Sequence, residues 1–168
     1  MRRVLLGLMA VLIGFASAGC SGYAFESPYR GDVQSIAVPI LGNNTFAYGL
    51  EAELTDALIK EIHRTTPYKV LDQRQADTVL SGTIVETDLR KLVGDSETGL
   101  VQELAVTIVV SFDWKDAETG RVLLSRRGFE AADVFVPDRD AGERIETGRR
   151  RTVDRLAKDM VAEMRSAW

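Results

Sequence analysis

One cysteine and one histidine in 168 residues leave this sequence with little equipment for thiol or metal chemistry. A zinc site gathers three or four ligands, chiefly Cys and His, and no second residue of either type accompanies Cys20 or His63. A single thiol also closes no disulfide within the chain, so stability has to come from an apolar core. There is no phosphate-cradling P-loop and no dinucleotide fingerprint. Internal repeats, low-complexity tracts and long linkers are missing as well. Positive charge is in deficit: the net charge of −4 argues against a nucleic-acid surface.

Catalytic groupings are equally scarce. Gly94-Asp95-Ser96 looks like the nucleophile block of GDSL-type esterases, but those enzymes need a histidine near the C-terminus and none follows position 63. Asp113 and Asp116 flank Trp114, yet two carboxylates without a cleft are not a glycosidase pair. They read as solvated strand-end residues. Arg149, Arg150 and Arg151 read first as the wet side of a helix, or else as a contact for phosphate or acidic partners. These absences predict a protein that is not an enzyme and holds no metal or cofactor.

What is present begins at the N-terminus. Arg2 and Arg3 precede an apolar run from Val4 to Phe15, followed by the small residues Ala16, Ser17, Ala18 and Gly19. That is the anatomy of an export signal. A bilayer core needs about 20 apolar residues in a helix, so the run is too short to span it. Ala18, Gly19 and Cys20 resemble a bacterial lipobox, with Ser17 standing where leucine is usual. The expected organisation is a lipoprotein signal peptide over residues 1–19, a lipidated tether over 20–31 beginning at Cys20, and a single domain over 32–168. Loss of the signal takes two arginines and moves the net charge to −6. Two or more acyl chains on Cys20 give a stable anchor where one does not. Ser21, in place of aspartate, resembles lipoproteins sorted to the outer membrane.

Periodicity outlines the domain. Ile36, Val38 and Ile40 alternate within a strand over 33–41, with Pro39 near its end or at a sheet edge. Gly42, Asn43 and Asn44 read as a turn. Leu50, Leu54, Leu58 and Ile62 form one apolar stripe of a helix from Gly49 to Arg64, which Pro67 stops. A short strand over 68–71 follows, then strands over 78–90, 103–114 and 121–129, with a hairpin turn from Asp116 to Gly120. In the third of these, Leu104, Val106, Ile108, Val110, Phe112 and Trp114 share one face and Glu103, Thr107, Ser111 and Asp113 the other. From about Asp140 a second amphipathic helix carries Ile145, Val153, Leu156, Met160 and Met164. Arg149 interrupts its stripe beside Gly148 and Thr152, so its first half is expected to pack loosely. The fold class is α+β: a two-layer sandwich with two helices on one face of a four- to five-stranded mixed, mainly antiparallel sheet.

Several motifs in this order resemble the LptE-type lipopolysaccharide-assembly lipoproteins. They are Cys20-Ser21-Gly22-Tyr23-Ala24-Phe25, Ile36-Ala37-Val38-Pro39 with Asn43-Asn44-Thr45, Gly49-Leu50-Glu51 with Leu54-Thr55, and Ala76-Asp77 before Leu80-Ser81-Gly82-Thr83-Ile84. The resemblance implies an outer-membrane lipoprotein on the periplasmic face. Its partners would be an LptD-type β-barrel, which it plugs and helps assemble, and lipopolysaccharide, which it helps deliver. A meander would bring Arg90 and Lys91 to the same end of the sheet as Arg139 and Arg144, four cations suited to lipid phosphates. Arg126 and Arg127 fall mid-strand, opposite Val109. A lipoprotein of similar shape that activates a cell-wall synthase, or scaffolds another envelope machine, is the alternative.

Overall fold

The structure of the protein, a computed structural model, describes residues 32–94, 101–135 and 141–166. The signal, Cys20, the tether and Arg139 lie outside the described residues. Among those described, the chain runs β1 (Ser35–Ala37), β2 (Gly42–Asn43), α1 (Leu50–Thr65), β3 (Lys69–Val70), β4 (Thr78–Gly94), β5 (Val101–Asp116), β6 (Val122–Phe135) and α2 (Ala141–Ser166). One mixed sheet takes all six strands in the order β3-β1-β4-β5-β6, with β2 also paired to β4. The three long strands form the expected antiparallel meander, and the three short ones join its edge in parallel.

The strand count exceeds expectation because Gly42–Asn43 is a short strand paired with Thr83 and Ile84, not a turn. Asn43 starts the turn instead of forming its middle: its side-chain Oδ1 accepts the Thr45 N–H at 2.9 Å. The chain therefore bends after residue 43.

Alternation along β5 decides how the layers form. Val106, Ile108, Val110, Phe112 and Trp114 are buried on one face, and two helices are needed to cover them. On α1, Leu50, Leu54, Leu58 and Ile62 are buried. Its ends follow the charge pattern, with Glu51 and Glu53 in the first turn and His63 and Arg64 in the last. On α2, Val153, Leu156, Ala157, Met160, Val161 and Met164 are buried. Aromatic packing closes the C-terminal end of the stripe, with Trp114 and Tyr68 ring centroids 6.1 Å apart and Phe129 edge-on to Phe112 at 5.6 Å.

The first half of α2 is tight where looseness is expected. A Cβ at Gly148 would lie 2.7 Å from the Phe135 ring, so the missing side chain is what admits that ring. Thr152 is fully buried one turn later. Its hydroxyl donates to the Gly148 carbonyl at 2.9 Å, with the Val106 carbonyl 3.4 Å away. Arg149 is likewise not on the wet side of the helix: its guanidinium is half-buried and lies 2.7 Å from Glu146 and 3.3 Å from Glu53 of α1. It ties the two helices together.

The register of β6 also differs from expectation. Val109 faces Glu130, and Arg126 faces Phe112. Gly128, at φ 63°, sits in a bulge between the Val110–Phe129 and Phe112–Arg126 pairs. A strand period counted without that extra residue misplaces everything on one side of it.

Gly148→Val should force the Phe135 ring out of its seat and lower stability by about 1–3 kcal/mol in urea unfolding. Adding Phe135→Leu should return part of that loss, because the two changes share one contact. Strict additivity of the pair would show that the ring is not what the glycine accommodates.

Candidate functional site on the outer sheet face

The helices occupy one face of the meander, leaving the other as a broad surface built by strand alternation alone. Its rows follow the pairing: Ser81, Asp113 and Ser125 lie abreast, Thr83 is beside Ser111, and Asp88 and Thr107 align with Ala132. Arg127 reaches across from β6. Its guanidinium lies 2.9 Å from Asp113 Oδ1 and donates to Asp113 Oδ2 at 3.1 Å and to the Phe112 carbonyl at 3.2 Å. The Ser125 hydroxyl donates to Asp113 Oδ1 at 2.7 Å, and Lys115 Nζ stands 3.4 Å from Oδ2. Ser81, Gly82, Thr83, Ser111, Phe112, Asp113 and Arg127 line a shallow open groove over this network.

Asp113 is thus the centre of a matched cluster, not the solvated strand-end residue expected from its sequence position. Its side chain is one-fifth exposed. The Arg127 guanidinium, and after it the Ser125 hydroxyl, hold its carboxyl down at about 2. A carboxyl that stays ionised throughout the neutral range is a poor general acid. The serine hydroxyls nearby have no imidazole to activate them, since His63 lies in the last turn of α1 on the helical layer. Among the described residues no cluster of His, Cys, Asp and Glu could hold a metal ion. This face offers hydrogen bonds and ion pairs to a wet surface.

The four cations expected to gather at one end are only partly described. Lys91 pairs with Leu104, which pairs with Phe135, so Arg90 and Lys91 do lie at the end of the sheet where β6 finishes. Successive strand residues point to opposite faces. Arg90, opposite Ala105, belongs to the outer face, and Lys91, opposite Leu104, to the helical side. Both are exposed, and Arg90 lies 3.2 Å from Asp88. Arg144 falls in the first turn of α2. Gly148 seats on Phe135, so that turn starts about 10 Å of helix earlier. The Arg144 side chain, like Arg139, is outside the described residues.

Sequence reasoning passed over Arg127, Ser125 and Lys115 as partners of Asp113. The signal that could have found Arg127 was Gly128, the residue a bulge needs for a positive φ.

Layers, topology and surface define a class of protein: an open α+β sandwich with a polar sheet face. Within that class the chain belongs to the LptE lipopolysaccharide-assembly family, whose sequence profile matches residues 33–167. No curated relative matches the sequence. Solved structures share the fold at low identity. The hypothetical protein CT253 from Chlamydia trachomatis is 11% identical, with a TM-score of 0.59, covering 80% of this chain and 97% of its own. Protein XCC0632 from Xanthomonas campestris is 10% identical, with a TM-score of 0.56 and coverage of 80% and 85%.

The sign of the Asp113 effect is fixed by its depressed pKa. Its ion pairing stabilises the fold fully above the unfolded-state value near 4 and is lost as pH falls through about 2. Asp113→Asn should therefore lower stability by about 1 kcal/mol at pH 7 and narrow its gap to the wild type below pH 3. Urea midpoints measured at both pH values check this; a gap that persists unchanged at low pH would contradict the assignment.

Proposed function

We propose that this chain is a lipid-anchored, non-enzymatic subunit of a lipopolysaccharide-assembly machine, docked inside an LptD-type outer-membrane β-barrel. The observation that carries this reading is the polar outer face of the meander, with Asp113 and Arg127 at its centre. Lumens of outer-membrane barrels are polar and wet. A sheet that turns its hydroxyls and paired charges outward could fill one without exposing a large apolar surface. Membership of the lipopolysaccharide-assembly family supports the same reading. Cys20 would carry the acyl chains and hold the domain at the periplasmic face of the outer membrane. No described helix is long and apolar enough to cross a membrane itself. Arg90, Lys91, Arg139 and Arg144 are the proposed contact for the phosphates of the glycolipid, Arg90 and Lys91 from the two faces of one strand.

Purification of the full chain from detergent tests the reading. Recovery of a heat-modifiable barrel protein in stoichiometric amounts is expected; recovery of a peptidoglycan synthase in its place would make this a cell-wall activator. Reversing both charges, Arg90→Glu with Lys91→Glu, should weaken lipopolysaccharide binding at least tenfold in a direct binding assay while leaving barrel recovery intact. Unchanged binding removes these two residues from the site.

A further inference from the structure

The loop between β2 and α1 has two properties: it is firmly braced, and it holds large apolar side chains in water. Phe46 is 92% exposed and Tyr48 86%. Ile40, just before β2 on the same sheet edge, is 72% exposed.

Most of the bracing comes from the Asn43 side chain. Asn43 Nδ2 donates to the Ala47 carbonyl at 2.9 Å and to Glu51 Oε2 at 2.7 Å. Asn43 Oδ1 accepts from the Thr45 N–H at 2.9 Å and from the Thr45 hydroxyl at 2.7 Å. Thr45 Oγ1 in turn accepts the Ala47 N–H at 3.2 Å, and the Asn44 N–H reaches back to the Ile84 carbonyl at 2.9 Å. The loop is thereby fixed to β4 at one end and to the first turn of α1 at the other. Nothing in this network involves the two aromatic rings, so it positions them without covering them.

A braced aromatic pair is the anatomy of a binding hot spot. Aromatic anchors supply large contact areas, roughly 150–250 Å² each when buried, and binding is strengthened when they need no ordering on contact. The charge around them selects the occupant. Residues 38–49 contain no lysine or arginine, while Glu51 stands in the first turn of α1. The Asn43 amide holds the Glu51 carboxyl below its usual range, so that rim stays negative. Anionic bilayers recruit proteins through basic residues and disfavour an acidic rim. A second copy docked about a two-fold axis would set the same acidic turn against itself. A protein surface with an apolar cavity and a basic rim has neither fault.

We propose that the Asn43–Gly49 loop is a preformed anchor that inserts Phe46 and Tyr48 into an apolar, basic-rimmed cavity of a protein partner. The proposal rests on the reading that this chain works as a subunit of the barrel complex, whose barrel is then the partner.

The test uses the full chain co-expressed with the barrel protein. A photo-crosslinking phenylalanine analogue at position 46 should join the two proteins, and the same analogue at Glu118, in the exposed β5–β6 hairpin turn, should not. Phe46→Ser with Tyr48→Ser should weaken the complex at least tenfold. Asn43→Ala keeps both rings but removes the brace, and should weaken it about threefold or more. Unaltered affinity of the double variant overturns this inference and leaves the functional reading standing. Crosslinks from position 46 to phospholipid or to a second copy overturn it as well. If the wild-type chain recovers no barrel at all, the functional reading itself fails and takes this one with it.

Discussion

Burial of one face of β5 is the constraint on which the rest of the molecule depends. Five residues in alternation, ending in Phe112 and Trp114, are removed from water. At roughly 1.5–3 kcal/mol for each large apolar side chain buried, no hydrogen bond on the surface competes with that drive. One helix is too narrow to cover a sheet this wide, so α1 and α2 lie side by side over it. Their own packing then sets further demands. α2 must come close enough to β6 for Phe135 to fit, and Gly148 is where it does so. Arg149 can sit half-buried because Glu53 and Glu146 meet it at the seam between the helices.

The short parallel strands face a different problem. Pairs of two or three residues hold little by ladder hydrogen bonds alone, and side chains make up the difference. Asp77 Oδ2 accepts from the Gln34 and Ser35 N–H groups and from the Ser35 hydroxyl. Those bonds, the Ser35 hydroxyl foremost, hold the Asp77 carboxyl below its usual range. Thr78 donates to the Ser35 carbonyl at 3.0 Å. At the other corner Thr55 accepts the Leu41 N–H and donates to the Glu51 carbonyl. Asp77 and Thr55, with Asn43 and Glu51, are among the motifs that carry the family resemblance. Their shared physical role is to fasten β1 and β2 to β4 and to aim α1 across the sheet.

That division explains what could be read from the sequence and what could not. Long elements announce themselves by period: the β5 alternation and the four-residue stripe of α1 were legible because burial on one face imposes them. β2 was not, because two residues have no period, and the glycine and asparagine that form it are turn residues in most settings. The β6 register failed for a related reason. A bulge adds one residue to one strand only, and the pattern on either side looks continuous until the partner strand is known. Gly148 and Thr152 read as weakness in a helix stripe, since sequence gives no hint that an aromatic ring from another element fills the gap. The candidate surface was half legible: Ser111 and Asp113 followed from alternation, whereas Arg127 depended on the bulge. Phe46 and Tyr48 carry no periodic signal, and only their exposure in the folded chain marks them.

The two surfaces that remain free follow from these same constraints. Because the helices pack on one sheet face, the other is released from packing and can be chosen for its fit to water or a wet wall, which is what the Asp113, Arg127 and Ser125 cluster provides. Because β1 and β2 need side-chain fastening, the loop that follows them inherits a rigid frame from Asn43. Rigidity in that loop is a by-product of holding the sheet edge together, but it has a second effect. Side chains mounted on it cannot fold back to shelter in the core. Two aromatic residues there, Phe46 and Tyr48, stay in water. The fastening that stabilises the edge is therefore also what makes the edge suitable for meeting a partner.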